Sequence, residues 1–204
     1  MDVKLLSMKR KLVFLITLIA LVAFGATLVR ATWYAPESEV PVPSPEESAL
    51  LGSVSTTSQP ARLTVPSLEI DADIQYVGVT KDGNMGVPSN FSDVGWYKYG
   101  TIPGRYGSAV IDGHVDNAIG LAGVFKKLDS IQVGESVYVQ TKGGEKLRFI
   151  VTEVVTYGYK DVPVETLFNR KDARRLNLIT CGGSWIQTEK TYDERTVVYT
   201  VLAP

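Results

Sequence analysis

The chain has 204 residues, 45% of them hydrophobic, and its 21 lysines and arginines against 22 acidic residues leave a formal net charge of −1. That length suits one ordinary globular domain with appendages and argues against two. The basic residues are scattered apart from a short N-terminal cluster, so composition gives no electrostatic footprint for nucleic acid, and DNA and RNA are set aside as partners.

In chain order, residues 1–11 carry Lys4, Lys9, Arg10 and Lys11, and residues 12–29 carry no charge. An uncharged run of this length spans the hydrocarbon core as a helix, with its basic flank in the cytoplasm and everything after it outside. A cleaved signal peptide is the rival reading, because small residues such as Ala26 and Ala31 follow the centre of the run. The run exceeds a usual signal core, which favours an uncleaved single-pass anchor in the cell membrane. Residues 30–60 are expected to be a linker, since 36–60 are rich in Pro, Ser, Glu and Thr and lack apolar periodicity.

Residues 61–204 are expected to form the folded domain. Short apolar or alternating runs at 63–65, 74–79, 108–111, 136–140, 147–155, 176–180 and 196–202 read as strands, separated by turn signals such as Lys142-Gly143-Gly144-Glu145. Seven or eight strands fit, and 136–140 with 147–155 form a hairpin. Helical signal is confined to short stretches at 121–128 and 164–174. The class is mainly β, and a closed barrel is the simplest way to leave no strand edge exposed.

Three residues stand out chemically. His114, the only histidine, follows the run at 108–111; Cys181, the only cysteine, ends the run at 176–180; Arg195 precedes the last run. Cys181 has no partner for an intramolecular disulfide, and an unpaired thiol outside the cell flags reactivity. Antiparallel pairing of the last two strands would set Arg195 beside Cys181, and parallel pairing of the 108–111 strand with 176–180 would add His114 at the same rim. A thiol, an imidazole and a guanidinium supply the nucleophile, the proton carrier and the anion stabiliser of acyl transfer. With reference values near 8.5 and 6.5, an uncoupled thiol and imidazole form the thiolate–imidazolium pair only about one per cent of the time. Asp116 lies two residues from His114 and could orient it, although capping a turn is its plainer job.

Leu178-Ile179-Thr180-Cys181 followed by Arg195-Thr196-Val197-Val198 resembles the signature of sortases. Gly113-His114-Val115-Asp116 stands where that family carries its histidine, and Val94-Gly95-Trp96-Tyr97 with Pro103-Gly104 looks like its approach segment; the similarity runs over residues 62–203. The resemblance implies a closed eight-stranded sortase-type β-barrel with short helices behind one N-terminal transmembrane helix. It implies that Cys181 attacks the Thr–Gly bond of a sorting signal resembling Leu-Pro-X-Thr-Gly to give a thioacyl enzyme. An amine of a peptidoglycan precursor or a pilin then resolves the intermediate, in a Gram-positive-type envelope and without a cofactor. His114 would move the proton, Arg195 would hold the substrate backbone or oxyanion, and Thr180, Gly182 and the loop to Glu194 would border the substrate. The Gly-His-Val-Asp and Leu-Ile-Thr-Cys-Gly-Gly forms look most like the class F or class E-like branches, although the class F pattern carries an asparagine where Arg195 stands. The N-terminal segment lacks the Asp-Pro-aromatic lid of pilus-building sortases, which favours single-protein anchoring.

Two other readings remain open at this level. A cysteine L,D-transpeptidase of peptidoglycan is also exported and Cys/His-dependent, but it keeps histidine and cysteine close in sequence, unlike His114 and Cys181. A non-catalytic envelope-binding barrel would have lost one of the three residues, and none is lost. No catalytic metal centre is expected, since one histidine and one cysteine do not build an ordinary zinc site; Asp112, Asp116, Glu153 and Glu165 are available to calcium, although they form no ligand-spaced cluster.

Overall fold

The structure is a computed structural model that describes residues 3–33, 40–43, 56–117 and 119–204. Helix α1 (Val3–Trp33) contains the apolar stretch Lys9–Val29, none of it buried against protein, which is consistent with a single-pass membrane anchor. Of the expected linker, residues 34–39 and 44–55 lie outside the described residues.

Eight strands follow: β1 (Pro60–Val65), β2 (Ile70–Val77), β3 (Val94–Tyr97), β4 (Gly107–Gly113), β5 (Ser136–Thr141), β6 (Lys146–Gly158), β7 (Arg174–Ile186) and β8 (Thr191–Leu202). They close into a barrel in the order β1-β2-β3-β4-β7-β8-β6-β5. Closure satisfies every strand on both sides, the expected solution to the edge problem. The expected hairpin is present, with Ser136 opposite Ile150 and Gln140 opposite Lys146. The strand without a counterpart among the seven sequence runs is β3. Its four residues include Gly95 and are too short to show a period, and it is recruited by parallel pairing with β2 and antiparallel pairing with β4.

Both short helices come out shorter than their sequence signal. Residues 121–128 form turns, with a 3-10 turn only at Leu128–Ser130, because their amides bond outside the segment: Val124 N donates to Phe91 O (2.8 Å) and Phe125 N to His114 O (2.9 Å). Phe125 is thereby driven into the barrel, where it is fully buried. In 164–174 only α2 (Val164–Phe168) is helical, and Asn177 Nδ2 donates to the Leu167 carbonyl (2.6 Å) beneath it.

Packing is in two layers. Leu63, Ile74, Ala109, Ile111, Leu176, Leu178 and Val198 fill the barrel. Alternate residues of the same strands, Val110, Ile179, Val197 and Tyr199, face outward beneath Leu167 and Phe168 of α2. The central strands β4, β7 and β8 are therefore buried on both faces, which is why they read as continuous apolar runs. The outer layer is completed by Val40, 1% exposed. Its carbonyl accepts from Met85 N (2.8 Å), and Val42 N donates to Gly83 O (3.2 Å).

Val40→Ala removes two buried methyl groups, about 1.5 kcal/mol of transfer free energy. We expect it to release residues 40–43 without unfolding the barrel. Native-state hydrogen exchange at the Met85 amide should accelerate about tenfold, while amides of β7 keep their rates.

Candidate active site

Three strands meet at one rim. Strand β7 pairs antiparallel with β8, with Cys181 directly opposite Arg195. On its other side β7 runs parallel to β4, with Asp112 opposite Ile179, and Thr180 Oγ1 donates to Gly113 O (2.7 Å) one step further on. His114 is the next residue along. The structure thus gathers His114, Cys181 and Arg195, distant in sequence, at the end of two adjacent strand pairs. Gly113 is required by close packing, since a Cβ there would lie 2.5 Å from the Phe125 ring.

His114 is 6% exposed, and its Nε2 lies 2.9 Å from Pro88 O. A carbonyl oxygen only accepts, so this contact puts the proton on Nε2 and leaves Nδ1 as the nitrogen able to take a proton. Burial holds the imidazole below its ordinary pKa, against the opposing pull of the Pro88 bond and of Asp116. Asp116 does not grip the ring. Its Oδ2 accepts from Tyr192 Oη (2.6 Å) and lies 3.8 Å from Lys126 Nζ. That bond ties the excursion after β4 to the β7–β8 hairpin, and it raises the Tyr192 phenol together with burial. Nothing local in Thr191-Tyr192-Asp193 marks Tyr192; only the tertiary fold brings it to Asp116.

Arg195 is 1% exposed. Its Nη1 donates to Tyr192 O (2.8 Å) and Glu194 O (2.7 Å), its Nη2 to Thr191 Oγ1 (2.8 Å), and Tyr159 lies 5.8 Å from its guanidinium carbon. Three of five N–H groups thus brace the hairpin that carries Cys181, and two are not engaged by it. Asp112, buried behind the rim, has its pKa pushed up to about 7 by burial, with Arg195 pulling the other way. Among the described residues no group of three or more His, Cys, Asp or Glu side chains gathers to hold a metal ion.

Cys181 is partly buried and lines a cavity of about 290 Å³ with Thr180, Gly182, Tyr192, Glu194 and Thr196. Arg195 is the strand partner of Cys181 and His114 follows the end of the neighbouring strand β4, but neither lines this cavity. After Cys181 the ladder shifts register between Gly182 and Trp185, an irregularity that bends the strand before pairing resumes at Trp185 opposite Tyr192. Gly183 sits there at φ +75°, where a Cβ would also strike the Asp193 carboxylate that accepts from Ser184 N (2.6 Å). Gly182, by contrast, would meet Thr196 Oγ1 only at 3.5 Å.

The Sortase domain family matches residues 63–203. The fold resembles sortase A from Corynebacterium diphtheriae (TM-score 0.56, 18% identity), covering 72% of this chain and 61% of that one. It also resembles the Clostridium perfringens sortase D5 transpeptidase (TM-score 0.54, 19% identity, 79% and 90% covered). Sortase C-1 from Actinomyces oris is similar too (TM-score 0.55, 21% identity, 89% and 96% covered). Three sortase classes match to the same degree, so the fold alone selects no branch. No curated protein matches the sequence.

Gly183→Ala should lower the melting temperature by several degrees and disorder the β7–β8 hairpin, whereas Gly182→Ala should leave it within a degree; thermal unfolding of the two variants decides this. Asp112 gives a second test. Its raised folded pKa means that the native state holds a proton the unfolded state has lost. Its contribution is therefore complete below about pH 4 and is lost as pH rises through 7. Asp112→Asn should accordingly be more stable than the parent at pH 8 and indistinguishable from it at pH 4, measured by urea unfolding at both values.

Proposed function

Because the chain belongs to the sortase family, whose members are cysteine transpeptidases, we propose that it cleaves a Leu-Pro-X-Thr-Gly-like sorting signal between Thr and Gly and transfers the acyl group to an envelope amine. The observation that carries this reading is the pairing of Cys181 with Arg195 beside His114, inside the matched span. The donors are secreted proteins with such a C-terminal signal. The acceptor is the amine of a peptidoglycan precursor or a pilin, and the domain works on the extracellular face, held by α1.

In the first half-reaction the Cys181 thiolate attacks the threonyl carbonyl carbon, and the oxyanion that develops falls to the two N–H groups of Arg195 not engaged by the hairpin. Collapse breaks the C–N bond, and His114 gives the departing amine its proton from Nδ1. Nε2–H stays on Pro88 O, so the ring keeps its orientation while Nδ1 cycles. In the second half-reaction an amine attacks the thioester, His114 accepts its proton at Nδ1, and the thiolate leaves. Thr180 and Gly182 border the reacting end of the peptide. Thr180 also fixes β7 to β4 through its bond to Gly113.

Cys181→Ala should abolish cleavage of sorting peptides while keeping the barrel's melting temperature; undiminished cleavage would defeat the proposal. Arg195→Lys should lose most turnover, because a point charge cannot replace a fork that braces the hairpin and faces the substrate. Removing one oxyanion donor costs about 100- to 1000-fold, so Arg195→Ala should fall at least that far, and it should also melt earlier for want of the three hairpin bonds. Near-full turnover in Arg195→Lys would exclude the fork. The pH–rate profile should be a bell, since His114 must be protonated while Cys181 is ionised. The burial of His114 lowers its limb, so the centre should fall below the midpoint of about 7.5 set by the reference values. A rate that only climbs through the thiol range would remove His114 from its assigned role.

A further inference from the structure

The end of the barrel opposite the mouth gathers cations that looked scattered in the sequence. There β3 ends and β4 and β7 begin, and the loops 98–106 and 169–173 come together: Gly107 N donates to Ala173 O (2.9 Å), Ser108 Oγ to Arg170 O (3.3 Å), and Arg174 lies over Tyr106 (5.2 Å). A Cβ on Gly104 would touch Leu147 at the start of β6, so the 98–106 loop also crosses toward the β5–β6 turn. Exposed on this end are Lys98, Arg105, Lys142, Arg170, Lys171 and Arg174. The carboxylates among them are Glu145 and Asp172, and Asp172 is already bonded to Arg170 (2.8 Å) and Arg175 (2.6 Å). A chain of net charge −1 thus has a strongly positive pole. Tyr106, 68% exposed, and Tyr99, 41% exposed, project from the same loop.

The strap that follows the anchor docks on the outer face of the barrel: residues 40–42 are bonded to Gly83 and Met85, on the hairpin that extends β2, and Pro41 borders Tyr159, Lys160, Val162 and Val164. Gly78, at the base of that hairpin, packs on Lys98 and Tyr99. Only six residues separate Trp33, where α1 ends, from Val40. Seven peptide steps span at most about 25 Å. The docked strap therefore replaces a long spacer by a short tether, which holds the barrel close to the bilayer.

Taking α1 as the membrane anchor, we propose that this basic, tyrosine-bearing pole rests on the anionic headgroup layer of the membrane that holds α1, so that the mouth with Cys181 points away from the bilayer. Lysine and arginine are drawn to anionic lipid within about a Debye length, near 8 Å at physiological salt. Tyrosine rings favour the same interfacial depth. Charge and aromatic placement select the bilayer as occupant over a soluble partner, and the short tether keeps the bilayer within reach.

The test uses the full chain in lipid nanodiscs of phosphatidylcholine alone or with one third phosphatidylglycerol. Amide exchange of 98–106 and 169–174 should slow at least threefold on the anionic discs, with β8 unchanged, and 0.5 M salt should restore the faster rate. The quadruple variant Lys98→Glu, Arg105→Glu, Lys171→Glu, Arg174→Glu should exchange equally on both discs while its β4 and β7 amides stay protected. Equal rates for the parent on the two discs, a slowing that survives charge reversal, or failure of the chain to enter discs would each overturn the proposal. So would protection by soluble polyphosphate but not by phosphatidylglycerol, which would make an envelope polymer the partner. Peptide cleavage in the same discs reads the transpeptidase proposal separately, because none of the four residues touches the mouth.

Discussion

Strand β7 exchanges backbone hydrogen bonds with β4 on one side and β8 on the other, parallel in the first case and antiparallel in the second. A parallel partner brings two strand ends to the same rim, and an antiparallel partner brings a strand's start beside its neighbour's end. One strand with both kinds of neighbour is therefore enough to collect His114, Cys181 and Arg195. A register slip of one residue in either ladder would turn Cys181 to the wrong face and dissolve the site. The two-sided burial of β4, β7 and β8 guards against such a slip, because Leu178 must fill the barrel while Ile179 packs under α2.

The same rim carries the least comfortable groups in the molecule. A histidine, a carboxylate and a guanidinium are each nearly withdrawn from water at His114, Asp112 and Arg195. Burying such groups destabilises the fold unless hydrogen bonds and neighbouring charges offset the lost hydration. The offsets are specific: Pro88 O for His114, three hairpin acceptors for Arg195, and Arg195 in turn for Asp112. Withdrawal from water is also what strengthens the electrostatics a transition state would meet. The β7–β8 hairpin is thus held by Arg195, and the Asp116–Tyr192 bond ties it to the segment after β4.

Seven of the eight strands were readable in advance, because each carries its own run of β-branched or apolar residues, and the gathering of His114, Cys181 and Arg195 at one rim followed from how those strands pair. What escaped depends on contacts across the chain. β3 is defined by its two neighbours and not by its four residues. Residues 121–128 look helical locally, yet their amides answer to Phe91, His114 and Val115. Residues 40–43 have a linker's composition and behave as part of the outer layer, since two valines alternating with prolines are too short a run to give a period to read. Asp116 reads in sequence as a turn cap that could also orient His114, and the bond it makes goes to a tyrosine more than seventy residues away.

The central claim is that Cys181 carries the acyl group. Intact-mass spectrometry of the full chain mixed with a Leu-Pro-X-Thr-Gly peptide, quenched in acid within seconds, reads that group directly. The account predicts an adduct with the mass of the peptide up to threonine, mapping by digestion to the peptide containing residue 181 and discharged by an added primary amine with formation of the matching amide. Cleaved peptide without any adduct on Cys181, or an adduct that water but no amine removes, would contradict it.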